Sequence, residues 1–353
     1  MEFEFVKKDK LKEKPKKNLG FGNYFTDYMF TMDYSDEKGW HNKKILPYGE
    51  ISVSPSTMVL HYAQETFEGL KAYRGYDGKI YLFRPDMNAK RFINSNKRMC
   101  MPEISEELFI DCVKELIKVE KDWIPTGEGE SLYIRPFMFA NEASLGVHVA
   151  KSYKFMIILS PVGAYYPEGV NPIKIYVEDE YVRANLGGTG FVKCGGNYAA
   201  SLKGQERAEK LGYTQVLWLD GVERKYVEEV GSMNAMFLID DKIVTAPLEG
   251  TVLPGVTRDS ILTILKDFGF EVVEKHLSID ELMEAGKNGR LKEAFGTGTA
   301  AVISPIGELY YRGEEVIIND FKTGALTQKL YDTLTAIQWA KSEDKYKWRF
   351  EVK

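Results

Sequence analysis

Hydrophobic positions recur at Leu108, Cys112, Leu116 and Val119, a spacing that predicts an amphipathic helix ending near Trp123. Lys79–Phe83 is an apolar run behind an Asp77-Gly78 turn signal, so a strand is expected there. Ser131–Phe137 and Lys154–Leu159 are rich in β-branched and aromatic residues and also read as strands. Gly163–Pro172 is dense in Gly and Pro, as linkers are, and Ile173–Val177 then opens the second half as a strand. Five glycines lie between Gly187 and Gly196. A helix is expected after them, with Asn197 as N-cap, Leu202, Ala208 and Leu211 on one face, and Gly212 as the stop. Gln215–Leu219, an Asp220-Gly221 turn and Tyr226–Val230 predict a hairpin. Ala235–Ile239 and Ile243–Thr245 predict a second strand pair, and Thr257–Phe268 and Ile279–Lys287 predict helices. No solenoid-type repeat appears, and the mixture is α+β.

With 353 residues, the chain can build two ordinary domains. A hydrophobic share of 44% with 28% charged residues is the balance of a globular protein. The net charge of −5 argues against a nucleic-acid footprint. The first eighteen residues alternate Lys with Glu and Asp, lack the apolar core of a signal peptide, and read as a solvated, mobile tail. Apolar stretches such as Phe155–Val162 have strand length, far short of a membrane span. Cys100, Cys112 and Cys194 form no CxxC, and four scattered histidines leave no metal-ligand cluster. A reduced, cytoplasmic compartment is the expectation. Cys194 reads as a buried small hydrophobe or a reactive thiol.

Chemistry concentrates in the glycine-rich stretch. Lys193 precedes a helix, whose positive N-terminus disfavours an ammonium, and glycines on both sides leave room for a bulky ring. Those facts fit a carbonyl-binding lysine and also an exposed loop lysine. Gly255-Val256-Thr257 at a helix start, and the Phe295–Ala300 turn with its Gly-Thr repeats, both suit a phosphate or a carboxylate. Neither matches a P-loop or a dinucleotide fingerprint. Alternation puts Glu228 and Glu229 on opposite faces of their strand, one inward and one toward solvent, unless both lie exposed at a strand end. Arg84, Arg91 and Arg135 stand out by setting. Arg135 interrupts an apolar strand, where it points at an anionic group or forms a structural salt bridge.

The ordered motifs resemble one family. Lys193-Cys-Gly-Gly-Asn-Tyr198, Gln215-Val-Leu-Trp-Leu219, Glu229-Val-Gly-Ser-Met-Asn234, Leu253-Pro-Gly-Val-Thr257 and Phe295-Gly-Thr-Gly-Thr-Ala300 look like motifs of the branched-chain aminotransferases. Upstream, Phe25-Thr-Asp27, His61-Tyr62, Phe67-Glu-Gly-Leu-Lys71, Leu82-Phe-Arg-Pro85, Ser131-Leu-Tyr-Ile-Arg-Pro136 and Asn141-Glu-Ala-Ser-Leu-Gly-Val147 resemble it too. The likeness runs over roughly residues 20 to 340. It implies a two-domain, fold-type IV architecture with pyridoxal 5'-phosphate between the domains. The expected division is a mobile tail 1–18, a smaller N-terminal α/β domain 19–164, a linker 165–175, and a larger cofactor-binding domain 176–353.

The resemblance also implies roles. Lys193 would be the Schiff-base lysine and proton shuttle, and Glu229 the acid on the ring nitrogen. Tyr198 would bond the ring hydroxyl. Arg91, Val256, Thr257 and Thr299 would hold the phosphate, and Ala300, with Thr299 beside it, the substrate carboxylate. Phe25, Tyr62, Phe67, Tyr133 and Arg135 would line the side-chain pocket, with Val147 reaching across from the partner subunit of a homodimer. The implied reaction exchanges the amino group between leucine, isoleucine or valine and 2-oxoglutarate, with no metal, membrane or nucleic acid involved. The animal relatives' CxxC after the Gly-Thr turn is replaced by Ala301 and Ser304, which removes their thiol switch. A D-amino-acid aminotransferase or aminodeoxychorismate lyase would share the lysine and the glutamate, but not the combination of Tyr133-Ile-Arg135 with Lys193–Tyr198. A non-catalytic protein binding pyridoxal phosphate or a nucleotide would use the same glycine-rich amides.

Overall fold

The computed structural model describes residues 3–163 and 170–353. The chain forms two compact units. One comprises Met1–Pro167, Val192–Gly195 and Ala336–Lys353; the other comprises Glu168–Phe191 and Gly196–Thr335.

In the first unit the strands are β1 (Glu4–Phe5), β2 (Tyr28–Ser35), β3 (Gly39–Pro47), β4 (Glu65–Phe67), β5 (Leu70–Arg74), β6 (Ile80–Phe83), β7 (Ser131–Ala140) and β8 (Ser152–Val162). Their order among the described residues is β1-β3-β2-β8-β7-β5-β6, with β4 also on β7 and the C-terminal strand Arg349–Glu351 on β6. The long antiparallel pair β7 and β8 keeps register from Ser131 opposite Val162 to Ala140 opposite Tyr153, which makes it the rigid centre of the sheet. Two helices, α1 (Pro85–Arg98) and α2 (Glu106–Val119), belong to this unit. Helix α2 forms for the reason its periodicity suggests: Cys112 and Leu116 point inward with Phe109, Val113 and Ile117. Ser105 caps its start by accepting the Leu108 amide at 3.1 Å. The core is aromatic, with Phe92 5.5 Å from Phe109 and 5.7 Å from Phe155 between ring centroids.

The described residues of the N-terminal segment make defined contacts with the first unit. β1 pairs parallel with β3, and Lys8 Nζ sits 3.0 Å from the Asp27 carboxylate. The charge run hides two requirements that fix it in place. Asp27, 1% exposed, needs cationic partners, and the apolar Phe3 packs on the core.

In the second unit the strands are β9 (Ile173–Glu178), β10 (Gln215–Leu219), β11 (Val227–Val230), β12 (Met233–Ile239), β13 (Lys242–Thr245), β14 (Val272–Glu274), β15 (Leu291–Gly298), β16 (Val302–Tyr311) and β17 (Glu314–Ile317). The path β11-β10-β9-β16-β15-β12 closes on itself, because β11 also pairs with β12. The ring encloses alternate residues of β12, and every residue of that strand is buried. Helices α3 (Gly195–Lys210), α4 (Val256–Asp267) and α5 (Ile279–Lys287) follow the predicted segments.

Several local expectations change. Asn197 lies inside α3 rather than capping it, and its side chain bonds Thr189 through both the backbone carbonyl and the hydroxyl. Leu202 and Leu211 are exposed, while Gly204 and Ala208 face inward, because Trp218 leaves no room for larger residues there. The Asp220-Gly221 turn is a longer loop, organised by the Asp220 carboxylate accepting the amides of Val222, Glu223, Lys225 and Tyr226. Of the expected linker, residues 164–169 lie outside the described residues. The C-terminal residues 336–353 group with the first unit rather than with residues 176 onward, because Arg349–Glu351 completes the edge beside β6.

A Cβ on Gly204 would lie 2.7 Å from the Trp218 ring. Gly204→Val is therefore expected to lower stability by about 1–3 kcal/mol. A lower denaturant midpoint checks this; an unchanged midpoint would show that the helix can shift away.

Candidate active site

In the first unit Lys193 is held by its backbone before its side chain does anything. Its amide donates to Ser95 Oγ at 3.1 Å, and its carbonyl accepts the Phe67 amide at 3.0 Å. The next glycine, Gly195, donates its amide to the Glu65 carboxylate. Ser95 comes from α1 and Phe67 ends β4, so helix and sheet together fix the loop. The Lys193 ammonium lies 4.7 Å from the centroid of the Phe67 ring. Burial pushes its pKa down to about 8, and the positive Arg91 and Arg135 add to the fall while Glu68 and Tyr133 oppose it. The helix start that the sequence points to is not among the main causes. Desolvation and two guanidiniums set the value.

Arg91 is 7% exposed and forms a two-point ion pair with Glu68, Nε to Oε1 at 2.7 Å and Nη2 to Oε2 at 2.8 Å. Asn88 also donates to Glu68 at 2.7 Å. Arg135 donates from Nη2 to the Tyr133 hydroxyl at 3.0 Å and lies 4.8 Å from the Phe67 ring centroid. Its Nε is buried without a hydrogen-bond partner, a donor suited to an incoming anion. Gly69 is required beside it, since a Cβ there would collide with the Tyr133 hydroxyl. Lys193, Phe67, Arg91, Tyr133 and Arg135 thus form one cluster.

The other first-unit residues make contacts of their own. Phe25 stacks on Tyr48 with centroids 4.9 Å apart and planes 5° from parallel. Tyr62 donates to the Leu145 carbonyl at 2.5 Å, and Val147 is 81% exposed on the same loop. Arg84, also singled out from sequence, has φ 49 at the start of α1 and lies 5.0 Å from the Trp348 ring, a structural position. Cys194 is buried.

In the second unit Glu229 is 3% exposed. Its Oε1 accepts the Leu253 amide at 2.7 Å, and its Oε2 pairs with Arg183 Nε at 3.4 Å. Asn234, opposite Glu229 across β11 and β12, donates to the Leu253 carbonyl at 2.9 Å. Arg183 also donates to the Thr251 carbonyl. These contacts fix the turn that leads into α4. The expectation that one of the paired glutamates faces solvent is wrong: Glu228 is 6% exposed, borders a cleft of about 440 Å³ with Tyr226 and His276, and burial raises its pKa. The loop carrying Glu249, Thr251 and Val252, with the nearby His276, lines the same cleft and covers that face of the strand.

Helix α4 starts at Val256 and Thr257 behind Gly255, which offers no side-chain cap, so its first amides suit an anion. The Thr297 hydroxyl is buried without a hydrogen-bond partner just before the turn that carries Thr299 and Ala300. Val302, which follows, has φ 63, a strained conformation for a β-branched residue and a mark of a shaped loop. Tyr198 lies half-buried in the first turns of α3.

Each unit by itself has chemistry that fits pyridoxal phosphate. In the first a desolvated amine suits its aldehyde; in the second an ion-paired buried carboxylate suits a protonated ring nitrogen, and uncapped amides and an orphaned hydroxyl suit a phosphate. Glu68, Ser95, Glu65 and Arg183 do not stand out from the sequence. Only the "Phe67-Glu-Gly" motif, which contains Glu68, offers a signal for any of them.

The sequence profile described as Amino-transferase class IV matches residues 65–309. The chain is 58% identical over 350 residues to a Staphylococcus epidermidis protein named "Probable branched-chain-amino-acid aminotransferase", covering 99% of this chain and 98% of that one. Its fold resembles the Escherichia coli branched-chain amino acid aminotransferase with a TM-score of 0.79 at 26% identity, over 93% of this chain and 99% of that one. It also resembles the branched-chain aminotransferase of the thermophilic archaeon Thermoproteus uzoniensis, solved with norvaline. There the TM-score is 0.75 at 25% identity, over 92% of this chain and 100% of that one.

The amine of Lys193 is expected to react with aldehyde reagents with an inflection near pH 8, since the neutral form is the nucleophile and predominates above its pKa. Glu68→Gln should move that inflection lower still, because removing a negative neighbour disfavours the ammonium. It should also destabilise the fold by about 3–5 kcal/mol by stranding the buried Arg91 charge. Mass-spectrometric labelling against pH reads the first effect; an inflection near the ordinary lysine value would refute it.

Proposed function

This chain belongs to the class IV aminotransferases, and from that premise we propose which residues carry its reaction. It is a pyridoxal-phosphate enzyme that exchanges the amino group between a branched-chain amino acid (leucine, isoleucine or valine) and 2-oxoglutarate. The observation that carries the assignment of residues is the depressed pKa of Lys193, set beside Arg91 and Arg135 and against Phe67.

Bound pyridoxal phosphate supplies an aldehyde that captures amines and a conjugated ring that accepts electrons from the substrate's Cα. Lys193 holds that group through Nζ. The same Nζ, about half of it neutral near pH 8, would take the proton from Cα. Glu229 keeps negative charge at the ring nitrogen, and its pairing with Arg183 offsets the cost of ionisation in a buried place. Tyr198 bonds the ring hydroxyl. Arg91, the amides of Val256 and Thr257, and Thr299 hold the phosphate. The two-point pair with Glu68 fixes the orientation of Arg91. Ala300 and Thr299 take the substrate's α-carboxylate.

The side-chain pocket must accept an apolar branch in one half-reaction and a second carboxylate in the other. Phe25, Tyr62, Phe67 and Tyr133 provide aromatic wall, while Arg135 and the Tyr133 hydroxyl bonded to it provide the anion site. A methylene contributes only about 1–3 kcal/mol of discrimination, so leucine, isoleucine and valine should all be used.

We further propose a homodimer in which Val147 reaches the partner's pocket. Leu145, Val147 and Val149 are 77%, 81% and 55% exposed on one loop, apolar surface that association would cover. A reduced, cytoplasmic setting is supported by cysteines that form no disulfide among the described residues.

With leucine and 2-oxoglutarate, the purified protein should form 4-methyl-2-oxopentanoate and glutamate; absence of both products would overturn the proposal. Lys193→Ala should lower kcat by roughly a thousandfold or more. Arg135→Met should raise KM for 2-oxoglutarate by roughly tenfold or more while changing that for leucine much less. Equal effects on both substrates would remove Arg135 from the distal carboxylate.

A further inference from the structure

The N-terminal segment is charged, reads as mobile from its composition, and has no place in the reaction described so far. The contacts of Lys8 and Lys12 converge on one short stretch. Lys12 Nζ donates to the carbonyl of Phe25 at 3.1 Å and to that of Thr26 at 3.0 Å. The Lys12 amide donates to Asp27 Oδ1 at 2.8 Å, and Lys8 Nζ reaches the same oxygen at 3.0 Å. The Lys8 amide donates to the Tyr28 hydroxyl at 3.0 Å. From the interior side, Trp123 Nε1 donates to Asp27 Oδ2 at 3.0 Å. The ammonium of Lys12 also lies 4.8 Å from the centroid of Tyr48, the ring on which Phe25 stacks.

We propose that the N-terminal segment is a positioning strap for the substrate pocket, in which Lys12 fixes the backbone of Phe25 and the Phe25–Tyr48 ring pair. The proposal rests on the reading that Phe25 forms part of the side-chain pocket wall. The physical case has three parts. Asp27 is 1% exposed, and a buried carboxylate needs cationic or hydrogen-bonding partners, which Lys8, Lys12 and Trp123 supply. That anchors the strap at a defined register. Two successive carbonyls are then tied by one three-donor ammonium, which restricts the backbone that aims the Phe25 ring. Finally, the cation over Tyr48 holds the second ring of the stacked pair from outside. Lys12 touches neither substrate nor cofactor, so it is a positioning residue. Loosening Phe25 should weaken the fit of a branched side chain without disturbing the lysine that moves the proton.

The test compares Lys12→Met, Lys12→Arg, Phe25→Ala and a control, Lys10→Met, in the holoenzyme with leucine as donor. Lys12→Met is expected to raise the leucine KM about threefold to tenfold with kcat within about twofold of the parent. Lys12→Arg should restore most of the loss, and Lys10→Met should match the parent. Limited trypsin digestion gives a readout besides activity: cleavage at Lys8 and Lys10 should be faster in Lys12→Met. If Phe25→Ala raises the leucine KM while Lys12→Met leaves it unchanged, the strap is refuted and the pocket reading stands. If Phe25→Ala itself leaves KM unchanged, the pocket reading fails and the strap falls with it. A Lys12→Met protein that only melts earlier, with parental KM and cleavage rate, also overturns the proposal.

Discussion

A lysine amine surrounded by protein loses the water that would solvate its charge, and at Lys193 that loss is reinforced by two neighbouring guanidiniums. The rest of the first unit's site follows from this constraint. Arg91 and Arg135 cannot both sit near a third cation unless negative charge is close, and the fully buried Glu68 provides it through a two-point pair with Arg91. Glu68 in turn is held by Asn88. The result is an amine that is substantially neutral near pH 8, not because it is isolated but because its surroundings are unevenly charged. Phe67 serves this arrangement twice, through its ring below the ammonium and its amide on the Lys193 carbonyl.

The second unit solves a different electrostatic problem. It buries the Glu229 carboxylate against the Arg183 guanidinium and the Leu253 amide. The same contacts stiffen the turn before α4, since Leu253 is bonded at its amide by Glu229 and at its carbonyl by Asn234. Charge placement and loop geometry are therefore one structure. Substitutions at Asn234 or Arg183 would act on both together, although neither residue needs to touch a ligand. The strained Val302 beyond the Gly-Thr turn has the same character, a local cost maintained by the paired strands β15 and β16.

The N-terminal segment shows how a charge run can be structural. Alternating lysines and acids usually describe a solvated surface. Here the decisive partner, Asp27, lies fifteen to nineteen residues away in sequence and is buried, so the lysines are drawn to it. A wall of the proposed pocket is in this way braced from outside by residues that composition alone assigns to solvent.

Much of the secondary structure is legible in the chain. Periodicity locates α2 and α5, β-branched runs locate β7 and β8, and ordered motifs single out Lys193 and Glu229 as the residues to examine. These are local signals, carried by spacing and by residue type. What the sequence did not determine is nonlocal. Whether Glu228 faces water depends on Glu249, Thr251 and His276, which line its cleft from distant positions in the chain. Where the C-terminal residues belong depends on an edge beside β6. The pKa of Lys193 depends on Arg91, Arg135 and Glu68, which are brought to it from distant positions. Desolvation and charge balance are properties of neighbours in space, and only the tertiary structure decides who those neighbours are.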